Sequence, residues 1–123
     1  MTPFGDRMRN LRAERGVTLK DMADAIGVSP AYLSALEHGK RGRPGWHLIQ
    51  RIIAYFNIIW DEAEEVVRLA RISHPRITID TAGLSPKATE LSNRLADEIG
   101  KLDSIVLEEI LTILDRRKSK PRG

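Results

Sequence analysis

Between Val17 and Arg43 the chain places its helix stops and starts so close together that only two short helices and a tight turn fit. Thr18 can accept a backbone N–H at the start of the first helix, with Asp21 as a short version of the capping-box acid. Leu19, Met22, Ala23 and Ile26 recur at helical spacing and give one apolar face. Gly27 stands where the chain must turn sharply, and glycine tolerates the left-handed backbone that closes a helix. Ser29 then caps a second helix that opens with Pro30, where a missing N–H costs nothing. Leu33 and Leu36 face inward, while Ala31, Tyr32, Ser34 and Ala35 point elsewhere. Gly39 ends this helix, and Lys40, Arg41 and Arg43 follow.

The rest of the chain is helical in pattern too. Phe4, Met8 and Leu11 line one face of a helix over 4–15. Trp46, Ile49, Ile52, Ile53 and Phe56 form a thick stripe over 45–56, and a fifth helix spans 59–72 with acids in its first turn and arginines in its last. Trp46 and Trp60 are expected to pack in the core. His74-Pro75 breaks the pattern. Ile77 and Ile79 alternate with Thr78 and Asp80, which predicts a short extended link. Ser85-Pro86 opens a helix to about residue 100, and Asp103 or Ser104 caps a last one to about 117. The fold class is therefore all-α: five helices over 1–73, a linker over 74–85, a helical hairpin over 86–117 and a basic tail over 118–123. The hairpin carries more aliphatic residues than one facing helix needs. About 40 residues cannot bury enough surface to stand alone, so the hairpin must pack on the first domain, on a second copy or on another protein.

Bulk properties narrow the function. Charge is unevenly spread. Residues 1–60 hold nine Lys or Arg against five Asp or Glu, residues 61–115 hold six against twelve, and the last eight hold five cations and no acid. That layout suits a protein that puts one face on phosphate. The tail reads first as a solvated, disordered terminus and second as an occasional phosphate contact. The chain has no cysteine, which removes disulfides and Cys-based zinc sites. No apolar run is long enough for a membrane span, and no leader precedes the first helix, so a cytoplasmic protein is expected. His47 and His74 are lone histidines without metal-ligand spacing. With no nucleophile–base arrangement or Gly-rich phosphate loop, no enzyme, metal or cofactor is expected.

Residues 4–72 resemble the helix-turn-helix domain of the XRE (Cro/C1-type) family of bacterial and phage repressors. The resemblance rests on Arg12-x-x-Arg15-Gly16, on Thr18, Met22-Ala23 and Gly27-Val28-Ser29, and on the exit Leu36-Glu37-His38-Gly39-Lys40-Arg41. Leu19 stands where the family usually carries glutamine and cannot make an amide's contact. The resemblance implies binding to double-stranded DNA, with the helix over 30–38 in the major groove. The family pattern places Pro30, Ala31, Tyr32, Ser34 and Ala35 toward the bases. None is Arg, Gln or Asn, so direct readout is modest and leans on thymine methyls, water and DNA shape. Phosphate contacts fall to Lys20, His38, Lys40, Arg41 and Arg43, and helix N-termini near Leu19 and Pro30 can add amides. Arg12 and Glu37 are expected to form a structural ion pair. The Trp46 indole could instead reach DNA.

The leading expectation is a sequence-specific, homodimeric regulator, a repressor on a palindromic operator, with Leu91, Leu95, Ile99, Ile110 and Leu114 at the dimer interface. The alternative is an antitoxin-like module that holds a protein partner through residues 74–115 and binds DNA for autoregulation. Fifty residues after the first domain leave little room for a ligand pocket.

Overall fold

The computed structural model describes residues 1–119, and the tail expected over 118–123 lies outside them apart from the helical backbone of 118 and 119. The described chain is all-α and divides into two compact units, Met1–Ile77 and Thr78 onward. The first unit holds α1 (Pro3–Arg15), α2 (Leu19–Ile26), α3 (Pro30–Glu37), α4 (Trp46–Phe56) and α5 (Trp60–Arg71). The second holds α6 (Pro86–Glu98), a short 3-10 turn (Ile99–Lys101) and α7 (Ser104–Ser119).

Each early boundary follows from local chemistry. Thr2 Oγ1 accepts the Gly5 N–H at 3.0 Å, and Pro3 opens α1. Thr18 and Asp21 form a full capping box: Thr18 Oγ1 accepts the Asp21 N–H at 3.0 Å and Asp21 Oδ2 accepts the Thr18 N–H at 3.2 Å. Gly27 closes α2 with φ 80°, and Ser29 Oγ accepts the Tyr32 N–H at 3.0 Å to start α3. The apolar faces so positioned converge on one core of Phe4, Met8, Leu11, Met22, Ala23, Ile26, Leu33, Leu36, Leu48, Ile49, Ile52, Phe56, Ile58, Val66 and Ala70. α1 packs on α3 and α5, α2 on α3 and α4, and α4 on α5.

Both tryptophans depart from the expected packing. Trp46 is 62% exposed and Trp60 81% exposed. Each is the first residue of its helix, so its side chain leaves at the end of the stripe rather than along it. Trp60 also enters α5 with φ 54°, a conformation rare for a bulky residue. Residues 77–80, where the extended link is expected, adopt no regular secondary structure. Two alternating isoleucines make a strand only beside a partner strand, and no strand occurs among the described residues. A turn follows, in which Asp80 Oδ1 accepts the Ala82 N–H at 2.9 Å.

The second unit is built differently. Ser85 caps α6 and Asp103 caps α7. Arg94 bridges Glu98 at 3.1 Å and Glu90 at 3.6 Å on the surface of α6. Yet among its described side chains not one is buried. Leu91, Ile99, Ile105, Leu111, Ile113 and Leu114 are exposed, and Leu95, Leu102 and Ile110 are half-buried.

Gly5 marks the tightest approach in the first unit. A Cβ there would stand 2.2 Å from the Glu37 carbonyl oxygen, at the junction of α1 with the end of α3. Backbone cannot yield as a flexible side chain can, so Gly5→Ala is expected to destabilise the first unit by about 1–3 kcal/mol. Chemical denaturation followed by circular dichroism measures this, and an unchanged midpoint would contradict the packing described.

Candidate nucleic-acid interface

α3 is held as a rod by what lies behind and below it. Leu33 and Leu36 are buried in the core. Glu37, also buried, receives Arg12 from α1 through both carboxylate oxygens: Arg12 Nη2 donates to Oε1 at 3.0 Å and Nη1 donates to Oε2. Arg12 Nη1 also lies 3.5 Å from Met22 Sδ in α2. One buried fork thus ties α1 and α3 together beside α2. The Glu37 carbonyl is held in turn by the Thr2 N–H at 3.0 Å and the Thr2 hydroxyl at 3.2 Å.

The opposite side of α3 is open. Pro30 and Ala31 are exposed, and Tyr32, Ser34 and Ala35 are half-buried. Tyr32 packs partly on the core, which limits its freedom. Beyond α3, Lys40, Arg41 and Arg43 are exposed on one loop that turns through Gly39 and Gly42 and returns to the fold at buried Pro44. Lys20 is exposed on another element, the first turn of α2.

Two details refine the expected phosphate set. The ring Nδ1 of His38 lies 2.8 Å from the Ser34 carbonyl, which can only accept, so Nδ1 carries a proton. The neutral ring then presents Nε2 as an acceptor, and only the imidazolium offers a phosphate a donor. The helix N-termini are also less open than expected. The Asp21 and Tyr32 amides are taken by Thr18 and Ser29. The Thr18 backbone N–H and then its hydroxyl hold the Asp21 carboxyl below its ordinary range, keeping a negative charge at the start of α2.

Arg51 escaped the sequence reading. It lies on α4, donates to the Ile26 carbonyl at 3.3 Å and lines a surface hollow with Ser29, Tyr32, Gly45 and His47 beside the start of α3. Only the packing of α4 on α2 puts it there; its sequence neighbours carry no such signal. Of the expected dimer residues, Leu91, Leu95 and Ile110 line one groove of the second unit, Ile99 sits in the 3-10 turn and Leu114 is exposed on α7. Among the described residues no group of three or more His, Cys, Asp or Glu could hold a metal ion, and no helix is long and apolar enough to cross a membrane.

A family model described as a helix-turn-helix domain matches residues 3–64, half of the chain. The chain belongs to the helix-turn-helix domain family, XRE type. This helix-turn-helix chain is similar to two proteins of Bacillus subtilis (strain 168). One is the uncharacterized HTH-type transcriptional regulator RghRB, 36% identical over 61 residues, covering 50% of this chain and 44% of that protein. The other is the HTH-type transcriptional repressor RghR, 38% identical over 61 residues, covering 50% of this chain and 45% of that protein. The matched segment thus spans less than half the length of these relatives. A solved chain of the SinR protein/SinI protein complex aligns over 95% of this chain and 99% of its own length, with 21% identity and a TM-score of 0.45.

The buried fork gives a direct test. Glu37→Ala leaves Arg12 without its partner and is expected to cost about 3–5 kcal/mol, whereas Arg12→Met with Glu37→Leu should recover most of that loss. Unfolding midpoints of the single and double variants measure it; a double variant no better than the single one would contradict the assignment.

Proposed function

We propose that this chain is a DNA-binding transcriptional regulator acting in the cytoplasm on the nucleoid, and a repressor that binds a palindromic operator as a homodimer. One observation carries the reading: α3 presents an open face over a buried back, with a loop of exposed cations immediately beyond its end. Names of the similar proteins, which are transcriptional regulators and a repressor, support it.

In this mechanism α3 enters the major groove. Ala31 and Ala35 offer methyls to thymine, Ser34 a single hydrogen bond, and Tyr32 a ring edge and hydroxyl. Lys20, Lys40, Arg41 and Arg43 neutralise phosphates, and His38 joins them as the imidazolium. Such a weakly polar reading face relies on the shape of the duplex for part of its discrimination. Two copies related by a two-fold axis read two half-sites, and the second unit supplies the contact between them through Leu91, Leu95, Ile99, Ile110 and Leu114. The lack of any buried side chain among the described residues of that unit supports a role in association.

Titrating salt against duplex DNA tests the phosphate and base roles together. Arg43→Ala is expected to weaken all duplexes about equally and to lower the salt slope by about one unit. Tyr32→Ala with Ser34→Ala should instead narrow the gap between operator and random DNA. A sequence-dependent loss for Arg43→Ala, or an unchanged specificity ratio for the double variant, overturns the assignment.

Association has its own readout. Leu95→Asp with Leu114→Asp in the full chain should convert a dimer to a monomer in sedimentation. A monomeric starting protein would favour the alternative, in which this hydrophobic surface holds a different protein.

A further inference from the structure

The chain leaving α5 folds back onto the root of the cation-bearing loop. Ser73 is buried; its hydroxyl donates to the Leu69 carbonyl at 2.5 Å and accepts the Phe4 N–H at 2.9 Å. Thr2, two residues before Phe4, holds the Glu37 carbonyl. Gly39 lies at this junction: a methyl group there would stand 3.1 Å from Thr2 Cγ2 and 3.5 Å from Pro75 Cβ. Farther along the loop, a Cβ at Gly42 would stand 4.0 Å from His74 Nε2. The other ring nitrogen, Nδ1, accepts the Arg76 N–H at 3.1 Å, which fixes the imidazole in its turn. Three stretches far apart in sequence thus meet at the base of the loop that carries Lys40, Arg41 and Arg43.

That loop needs an external brace. Gly39 and Gly42 both take left-handed φ, 77° and 79°, and such residues are free to adopt many other conformations. A loop that must be ordered as DNA binds loses affinity by the entropy of ordering it. Charge alone does not place its arginines.

We propose that Ser73–Pro75 is a strap that positions the Gly39–Arg43 loop for the DNA backbone, with His74 and Pro75 as positioning residues that make no DNA contact. The proposal rests on the DNA-binding reading above. Ser73 anchors the strap to α1, and Pro75 and His74 stand within van der Waals reach of where side chains on Gly39 and Gly42 would lie. The route by which the chain leaves the first unit therefore takes part in setting its affinity for phosphate.

The test uses the full chain with Pro75→Gly, the conservative Pro75→Val and, separately, His74→Ala. Binding to duplex DNA is measured across salt concentrations well below the melting temperature, together with hydrogen exchange of the amides of residues 40–43. Pro75→Gly and His74→Ala are each expected to weaken binding by about tenfold or less, the cost of ordering one backbone residue. The salt slope stays that of the parent because no cation is lost. Exchange at 40–43 should quicken while the helices keep their protection, and Pro75→Val should restore affinity. Unchanged affinity for Pro75→Gly overturns the proposal, as does a salt slope lowered by about one for His74→Ala, which would make that ring a phosphate ligand. If the parent chain binds no duplex, the DNA-binding reading fails by itself. Exchange at 40–43 then still decides whether the strap holds the loop: quickening supports it, and no change overturns it.

Discussion

The fork between Arg12 and Glu37 is the constraint on which the first unit depends. Two charged groups are taken largely out of water, and the two-point hydrogen bonding between them offsets part of that desolvation. In return the end of α3 is fixed in position and rotation against α1. A purely apolar contact at that place could slide; a two-point charged one has a single register. What α3 offers on its outer side, and where the following loop begins, are consequences of that register.

The first unit divides its labour by burial. Its inner residues are aliphatic and closely packed, and its outward residues on α3 are small or weakly polar. Strong charge is displaced to the loop after α3. On the proposed reading, affinity and discrimination belong to different residues. Electrostatic attraction along the loop would be indifferent to sequence, while the quieter surface of α3 would have to distinguish one duplex from another through fit. A carboxylate held ionised at Asp21, at the start of α2, would oppose a phosphate placed beside it.

Much of this was legible in the sequence because it depends on near neighbours. Thr18 with Asp21, Ser29 with Pro30, and Ser85 with Pro86 fix helix starts within a few residues, and Leu33 and Leu36 face the core as their spacing requires. The pairing of Arg12 with Glu37 came only through likeness to a family. Features made by distant segments were not legible. Gly5 looks like an ordinary helix glycine until Glu37 is laid against it, and Ser73 looks like a linker residue until its hydroxyl meets the Phe4 amide. Trp46 and Trp60 misled because hydrophobicity predicts burial only where a helix has a neighbour on that side.

The bare interior of the hairpin has a thermodynamic consequence. Among its described residues this unit hides no side chain, so if it associates as proposed, its folding and its association are one linked equilibrium. On that reading dilution would loosen this unit while leaving the first, with its own core, intact. On the same reading heating would melt the two in separate steps, the later one indifferent to protein concentration and the earlier one set by it.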